Sequence, residues 1–358
     1  MDFLQVARAM NDSLRPTVLI ASYLEPVHVE RIRAVDARLD VVYEPALLRP
    51  PRYAADHVGA PGARSVEDEV RWRALLARAD VLFDFDYTND AELPELCPRV
   101  RWIQATSAGI GAFVKRRRYD ERMPRTIFTT ASGVHARPLA EFCALAMLAF
   151  SRGLFIMLEA QRLRHWERFA GTDLLGKTVV IYGHGSIGEE VARVSRSFGM
   201  QTIGVKRSVA GQDPGALQVD ELHAASGLGA VLPRADFLVL AAPHTPETEG
   251  AIGRRELALL PRGAVLVNVG RGALVDEAAL VEALRSGHLG GAALDVFQEE
   301  PLPATSPLWA MPNVLVSPHS ASTSDRENTR LTDLFCRNLS RFLAGEALEN
   351  VLDTNRLY

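Results

Sequence analysis

One stretch, residues 178–199, limits the possible folds more than any other: it reads TVVIYGHGSIGEEVARVSRSFG. The apolar run at its start is typical of a buried strand. Apolar residues at helical spacing then predict a helix that Gly199 ends. Between strand and helix, three glycines stand in G-x-G-x-x-G spacing: Gly183, Gly185 and Gly188. Strand, glycine turn and helix in this order open a βαβ unit, which favours an α/β fold with parallel strands.

Each glycine has a physical task if the loop cradles a dinucleotide. Gly183 makes the tight turn, Gly185 lets the backbone approach the pyrophosphate, and Gly188 allows close packing of the helix. The helix N-terminus offers free N–H groups to the phosphates, so we expect Ser186 and Ile187 to lie beside them.

The same letters allow a second interpretation, as the elbow that presents a hydrolase nucleophile. Ser186, Asp295 and His319 follow the Ser…Asp…His order of that fold. An elbow, however, needs a small residue two positions before the serine, where His184 stands. The hydrolase interpretation also gives Gly183 no role, so the dinucleotide interpretation is favoured.

The remainder of the chain alternates short β-rich runs with helical patterns, which favours parallel sheets. Its 358 residues favour two domains. Strands are predicted in the first part at 17–21, 40–43, 81–85 and 101–103, with a helix over 26–39 and a loop over 47–64. Five more strands follow the glycine loop, at 202–205, 237–241, 264–268, 292–296 and 314–317. With the strand before the loop they make six, the number expected of a doubly wound nucleotide-binding sheet.

Two further segments are predicted to be helical. Residues 138–166 read as one long helix, apolar on more than one side, which we expect to be buried between domains or subunits. The tail from residue 324 reads as a helix that packs back on the first domain. We predict a dinucleotide-binding domain at 137–320 and a substrate domain made of 1–136 and 321–358.

Composition and charge exclude several classes of function. The chain is 47% hydrophobic and 23% charged, with a net charge of −4, which gives no reason to expect nucleic acid as a partner. The basic run 115–118 is followed by Asp120 and Glu121, and we interpret it as a solvated surface turn. No histidine or cysteine pair has the spacing of a metal site.

The sequence also predicts a soluble cytoplasmic protein with no membrane partner. Residues 1–16 have no apolar core, so no signal peptide is predicted. The most apolar run, 142–151, covers only about half of a membrane span. The three cysteines are far apart and odd in number, which favours reduced thiols: Cys97, Cys143 and Cys336.

The choice of cofactor depends on the end of the strand after the glycine loop. An NAD site usually carries Asp or Glu there to bind the ribose 2′-hydroxyl. This chain has Lys206, Arg207 and Ser208 in that place. Two cations and a hydroxyl suit a 2′-phosphate instead, so we predict NADP rather than NAD. The alternative is that Lys206 and Arg207 are ordinary exposed charges.

Chemically capable side chains follow three later strands. Arg271 stands in VLVNVGRGALVDE, Asp295, Glu299 and Glu300 in GAALDVFQEEPL, and His319 in VLVSPHSAS. Ligands of open α/β sheets bind at the carboxyl ends of the strands, so we expect these groups to converge.

With these motifs in view, the chain resembles the D-isomer-specific 2-hydroxyacid dehydrogenase family over nearly its whole length. The glycine loop, PHTPETEG, NVGRGALVDE, GGAALDVFQEEPL and SPHSAS occur in the family's order and approximate spacing. The resemblance implies two Rossmann-like or flavodoxin-like domains with the active site in the cleft between them. It also implies a homodimer joined through the helix near 138–166.

The resemblance assigns roles residue by residue. Arg271 would bind the substrate, Glu300 would pair with the histidine, and His319 would be the acid/base and contact the substrate. Backbone amides of Ser107, Ala108 and Gly109 would hold the substrate carboxylate. Besides the glycine loop and the Lys206–Ser208 stretch, the cofactor would be bound by six residues: Pro243, Thr248, Val269, Arg271, Asp295 and His319.

The sequence departs from the family pattern in two places. The VKRS stretch lacks the acidic residue of NAD-using members and is similar to NADPH-preferring glyoxylate/hydroxypyruvate reductases. The segment KRRRYDERMPRT is longer than the family needs, and the first domain is the weakest match. His135, near the expected domain crossing, is interpreted as a hinge or interface residue.

We therefore expect an NADPH-linked reductase of a small 2-oxo acid, with glyoxylate or hydroxypyruvate as first candidates. The alternative on the same fold is a nucleotide-sensing regulatory protein. A pure sensor needs no proton donor, so the set of Arg271, Glu300 and His319 speaks against it.

Overall fold

The computed structural model describes residues 15–357; residues 1–14, over which no signal peptide is predicted, and Tyr358 lie outside the described part. Within it the chain divides into two compact units. Unit 1 comprises residues 15–134 and 323–357, and unit 2 comprises residues 135–322. Each unit is an α/β structure with a fully parallel sheet, as the sequence predicts.

The sheet of unit 1 has five strands in the order β2-β1-β3-β4-β5. They are β1 (Thr17–Ile20), β2 (Asp40–Val42), β3 (Val81–Phe83), β4 (Trp102–Gln104) and β5 (Ile127–Thr129). The helices between them are α1 (Pro26–Arg33), α2 (Val66–Arg78), α3 (Leu93–Leu96), α4 (Gly111–Arg116) and α5 (Tyr119–Arg122). The sequence prediction omits β5, a three-residue strand at the edge of the sheet.

The C-terminal helix α12 (Glu327–Ala344) belongs to unit 1, as predicted for the tail. Its Phe335 is fully buried and lies edge-on to Phe83 of β3, with ring centroids 5.1 Å apart. On its other side the same ring stacks on Trp102 of β4 at 5.0 Å. Aromatic pairs of this kind stabilise a fold beyond the area that they bury. The helix α12 is therefore packed firmly against the sheet of unit 1.

The sheet of unit 2 has seven strands in the order β12-β11-β10-β9-β6-β7-β8. They are β6 (Thr178–Tyr182), β7 (Gln201–Lys206), β8 (Glu221–Ala224), β9 (Phe237–Leu240), β10 (Val265–Asn268), β11 (Gly291–Leu294) and β12 (Val314–Val316). Six match the predicted strands. The sequence prediction misses β8 because it is an edge strand with only partly buried residues, ELHA, and has no apolar run.

Six helices belong to unit 2. They are α6 (Ala136–Ser151), α7 (Leu154–Leu163), α8 (Ser186–Ser197), α9 (Leu228–Val231), α10 (Arg254–Leu259) and α11 (Glu277–Arg285). The helix α8 follows β6, an interior strand of the sheet, and packs against α6. Every residue of β6 is buried, which explains its unbroken apolar run.

The prediction of one long helix over 138–166 is wrong. The chain forms α6 and α7 with a bend of 61° between them, and the second helix ends at Leu163. Gly153 sits at the break with φ +68°, a left-handed conformation that interrupts a helix. The two halves also differ in burial: α6 contributes nine buried residues to unit 2, and α7 contributes none.

Two further observations concern residues 15–357. No single helix there is long and apolar enough to cross a bilayer, although α6 and α7 counted together reach that length and composition. The basic run 115–118 lies at the end of α4 and just beyond, where Arg117 pairs with Asp90 at 2.6 Å and Arg118 with Glu121 at 2.5 Å. The run is thus neutralised locally.

Candidate active site

The glycine loop between β6 and α8 has the shape of a phosphate cradle. Gly183 has φ +101°, and a Cβ there would lie 2.2 Å from the backbone nitrogen of Ala242. A Cβ on Gly188 would lie 2.6 Å from the carbonyl oxygen of Gly183. At Gly185, by contrast, no atom lies within 4 Å of the Cβ position. The loop is closed on the protein side and open above Gly185, which fits the approach of a dinucleotide pyrophosphate.

The helix α8 begins directly after this opening. Gly185 is its N-cap residue and Ser186 its first helical residue, both exposed. The N–H groups of the first turn have no partner within a helix, so Ser186, Ile187 and Gly188 present donors to an anion.

The structure gives no support to the hydrolase elbow. Ser186 has ordinary helical backbone, and the imidazole of His319 contacts a glutamate instead of Asp295. The carboxylate of Asp295 is occupied by the backbone N–H groups of Ser320 and Ala321. A Ser186–His319–Asp295 triad is therefore not formed.

The Lys206–Ser208 stretch lies where β7 ends. Lys206 is the last residue of the strand and is half-buried, whereas Arg207 and Ser208 are exposed. β7 is paired directly with β6, so its carboxyl end lies next to the glycine loop. This places two cations and a hydroxyl at the sheet edge that carries the phosphate cradle.

Glu300 and His319 form a close pair. The His319 Nδ1 lies 2.7 Å from Glu300 Oε2, and the backbone N–H of Phe297 donates to Glu300 Oε1 at 3.0 Å. The hydrogen bond to Glu300 raises the pKa of His319 above its usual value, although partial burial opposes it. Burial raises the pKa of Glu300, but the bonds from His319 and Phe297 outweigh it and leave that pKa below its usual value. Glu300 therefore favours the protonated form of the imidazole, with Nε2 left for other contacts.

Asp295 holds the backbone on which His319 stands. It is 1% exposed, and its Oδ1 accepts from the N–H groups of Ser320 and Ala321, both at 2.9 Å, and from the hydroxyl of Ser317. The His319 N–H in turn donates to the carbonyl oxygen of Asp295 at 3.0 Å. His319 has φ +54°, a left-handed conformation that costs energy for a residue with a Cβ. Asp295 thus supports the strained turn.

Arg271 lies on the loop after β10. The side chain of Asn268 closes this loop: its Nδ2 donates to the carbonyl oxygen of Arg271 at 3.0 Å, and its Oδ1 accepts from the N–H of Gly270 at 3.1 Å. The guanidinium donates to the carbonyl oxygen of Gly270 at 2.7 Å. Burial lowers the pKa of Arg271, which the charges of Glu300 and Asp295 partly offset. Arginine stays protonated throughout, so a half-buried cation stands beside the Glu300–His319 pair.

Gly272 joins the Arg271 loop to the loop after β11. A Cβ on Gly272 would lie 1.9 Å from the carbonyl carbon and oxygen of Phe297. The two backbones are therefore in direct contact, and the spacing between the loops that carry Arg271 and Glu300 is set by backbone atoms.

Three other predicted cofactor residues lie at the same sheet edge. The Thr248 hydroxyl donates to the Pro243 carbonyl at 2.7 Å and accepts from the Thr245 N–H at 2.8 Å, which closes the turn after β9. Val269 is buried directly after β10, and its backbone N–H donates to the carbonyl oxygen of Leu240 at 3.0 Å. These residues line the ends of neighbouring strands, as a doubly wound sheet requires.

The predicted carboxylate loop, Ser107 to Gly109, follows β4 in unit 1. Its Ser107 carbonyl accepts from the N–H of Ala131 at 3.1 Å. The residue before it, Thr106, donates its hydroxyl to Asp84 Oδ2 at 2.9 Å. Asp84 is fully buried, and this burial raises its pKa. The loop thus rests on a buried carboxyl group.

Sequence reasoning did not identify Asp84 or Asn268 as parts of the site. Asn268 ends its predicted strand and Asp84 is the one polar residue in the predicted strand 81–85, so a polar residue after apolar ones is the available signal. The partner of Asp84 is distant in the sequence, since Thr106 is 22 residues away, whereas Asn268 bonds to Gly270 and Arg271 on the loop that follows it.

Comparison with known proteins agrees with this geometry. Residues 144–321 match the model of the NAD binding domain of D-isomer specific 2-hydroxyacid dehydrogenases. The glyoxylate reductase of Thermococcus gammatolerans is 35% identical over 268 residues, which cover 72% of this chain and 77% of that protein. The chain belongs to the D-isomer-specific 2-hydroxyacid dehydrogenase family.

Other members of the family differ in length and substrate. The D-3-phosphoglycerate dehydrogenase of Methanocaldococcus jannaschii is 35% identical over 233 residues, and the chain spans 43% of its length. The crystal structure of the NADPH-dependent glyoxylate/hydroxypyruvate reductase of Sinorhizobium meliloti, in complex with NADP and sulfate, superposes with a TM-score of 0.74. It is 26% identical, over 96% of this chain and 100% of that one.

Membership in the family makes this 2-hydroxyacid dehydrogenase an NAD(P)-dependent oxidoreductase acting on CH–OH donors. The phosphate cradle, Arg271, Glu300 and His319 all lie within the matched NAD-binding domain.

Proposed function

We propose that the protein reduces a small 2-oxo acid with NADPH, and that glyoxylate or hydroxypyruvate is the substrate. The observation that carries this proposal is the contact of the His319 imidazole with Glu300, which raises the pKa of His319, beside the cation of Arg271. A 2-oxo acid offers a carboxylate and a carbonyl, which need a cation and a proton donor respectively.

The residues act in complementary ways. The guanidinium of Arg271 binds the substrate carboxylate and carbonyl oxygens through its fork and polarises the carbonyl. His319 holds a proton on Nε2 and donates it to the carbonyl oxygen as the alkoxide forms. Glu300 keeps that proton on the imidazole. Backbone N–H groups of Ser107, Ala108 and Gly109 hold the substrate carboxylate. When bound, the nicotinamide supplies the hydride that reaches the carbonyl carbon.

The preference for NADP is proposed from the end of β7. Lys206 and Arg207 supply positive charge and Ser208 a hydroxyl, where an NAD enzyme has a carboxylate. An arginine binds a phosphate bidentately, so the 2′-phosphate gains affinity that NAD does not have. The NADP complex of the Sinorhizobium reductase supports this choice by similarity.

The test is a steady-state panel. Reduction of glyoxylate, hydroxypyruvate, 3-phosphohydroxypyruvate and pyruvate is followed with NADPH and with NADH, and His319→Ala serves as the control. We expect the highest kcat/KM with NADPH and one of the first two acids, and a loss of about 10²- to 10⁴-fold in kcat for His319→Ala. A preference for the phosphorylated acid or for NADH would contradict the respective part of the proposal. Tight NADPH binding without turnover of any acid would favour the sensor.

We further propose that the protein is a homodimer joined through α6 and α7. In α7, Ile156, Leu158 and Leu163 are 57%, 53% and 58% exposed, and Trp166 just beyond is 96% exposed. Large apolar side chains this exposed are typical of interaction surfaces. A second copy presenting the same helix would cover them symmetrically, as in most soluble oligomers.

A further inference from the structure

His184, the second residue of the glycine loop, has its imidazole buried beneath the loop. It is 1% exposed, and its Nε2–H donates to the carbonyl oxygen of Leu217 at 2.7 Å. Two glycines leave room for the ring. A Cβ on Gly204 of β7 would lie 3.0 Å from His184 Cγ, and a Cβ on Gly188 would lie 3.2 Å from Nδ1. The imidazole thus fills a space between the first turn of α8 and β7.

The bonded carbonyl belongs to the connection between β7 and β8, residues 207–220. This connection begins with Arg207 and Ser208, the residues proposed to select the 2′-phosphate. Short-range hydrogen bonds fold it into turns: Gln212 Nε2 donates to the Ser208 carbonyl at 3.2 Å. At its far end, Asp220 accepts from the Thr202 N–H at 2.8 Å. The bond from His184 ties the later part of the connection, at Leu217, to the phosphate cradle.

We propose that His184 is a positioning residue that fixes the β7–β8 connection relative to the glycine loop and thereby sets the affinity for NADPH. A bound dinucleotide would need both places at once: the glycine loop at Gly185 would hold its pyrophosphate, and the start of the connection, Arg207 and Ser208, would hold its 2′-phosphate. If the connection shifts, the two contacts cannot be made together without strain. This inference rests on the proposed use of NADPH.

The chemistry of the ring suits this role. Burial lowers the pKa of His184, so the imidazole is neutral and acts as a hydrogen-bond donor instead of a cation. The proton on Nε2 is required by the Leu217 bond, which leaves Nδ1 as an acceptor without a hydrogen-bond partner among the described residues. One donor in a defined direction is what positioning requires.

Two substitutions separate the hydrogen bond from the space the ring fills. His184→Phe keeps a flat ring and removes the donor, and His184→Gln keeps an N–H donor at similar reach. We expect His184→Phe to raise the Kd and KM for NADPH by about three- to tenfold, the usual effect of one lost hydrogen bond. The kcat at saturating NADPH should change less than twofold, and the KM for NADH should rise less than that for NADPH. His184→Gln should restore most of the affinity.

His288 offers a matched control. Its Nε2 also contacts a backbone carbonyl, that of Leu257 at 3.0 Å, but it precedes β11 and so lies at the opposite edge of the sheet from the cradle. His288→Phe should leave the KM for NADPH unchanged. If His184→Phe does not fold, Gly204→Ala presses a methyl against the imidazole and should raise the same KM.

The measurements distinguish a failure of the proposed cofactor preference from a failure of the proposed role of His184. A wild-type preference for NADH would overturn the proposed cofactor, and His184 would then be judged by the Kd for NADH. The inference about His184 is overturned if His184→Phe binds its cofactor as the wild type does. It is equally overturned if kcat falls in step with affinity, or if His184→Gln behaves like His184→Phe.

Discussion

Replacing Glu300 by glutamine tests the proton donor most directly. The substitution keeps the acceptor for the Phe297 N–H and removes the charge that faces His319 at 2.7 Å. The pKa of His319 is raised by this hydrogen bond, so the imidazolium persists above the pH at which a free histidine loses its proton. Reduction needs the protonated form, so kcat/KM for the 2-oxo acid falls as pH rises through that pKa. In Glu300→Gln the fall should come at lower pH.

The size of the effect follows from the geometry. A hydrogen bond between charged groups contributes about 1.5–3 kcal/mol. The His319 and Glu300 side chains are 48% and 35% exposed, and solvent screening reduces the value to about 1–1.5 kcal/mol. At a pH where His319 is mostly neutral in both proteins, kcat/KM should therefore be about tenfold lower in the variant. At low pH, where His319 is protonated in both, the two rates should converge.

The assay is NADPH oxidation at subsaturating 2-oxo acid in a series of buffers of equal ionic strength. The reverse reaction supplies an internal check, because oxidation needs neutral His319 and its rise with pH should also move to lower pH. Identical pH profiles for wild type and variant would refute the electrostatic role of Glu300. A loss of equal size at every pH would show that Glu300 orients the ring without affecting its charge.

Four further predictions follow from the described contacts. Arg271→Lys should raise the KM for the 2-oxo acid by at least about tenfold, since an ammonium group cannot make the two parallel hydrogen bonds of a guanidinium. An unchanged KM would contradict the proposed binding of the substrate by Arg271. Gly272→Ala should lower the free energy of unfolding in urea by about 2 kcal/mol or more, because its methyl would overlap the Phe297 carbonyl. Asp84→Asn turns an N–H donor toward the Thr106 hydroxyl and should raise the KM for the acid while the Kd for NADPH stays constant. Leu158→Asp in α7 should give a monomer by light scattering, and a monomeric wild type would refute the dimer.

Much of unit 2 could be predicted from the sequence because its signals are local. The glycine loop and the strand before it are contiguous, and their turn is dictated by residues that tolerate positive φ. The convergence of Arg271, Glu300 and His319 followed from the rule that parallel strands share one carboxyl edge. The pairing of Glu300 with His319, in contrast, came from the resemblance to the family.

The parts that escaped prediction depend on contacts between distant segments or on weak local signals. The strands β5 and β8 each lie at an edge of their sheet, and β8 has no apolar run. The break between α6 and α7 depends on one glycine, and an isolated glycine is often tolerated in a helix. From the sequence, His184 is only evidence against a hydrolase elbow, because its partner Leu217 lies 33 residues away.

The backbone contact at Gly272 has a consequence for engineering the enzyme. The Arg271 loop and the Phe297–Glu300 loop touch without any side chain between them, so neither can be redesigned alone. Libraries that vary residues on one loop should mostly yield inactive clones, whereas variation in the segments of unit 1 near Ser107 leaves this contact untouched. We expect substitutions in unit 1 to change the substrate specificity, whereas the two catalytic loops should be kept together without change.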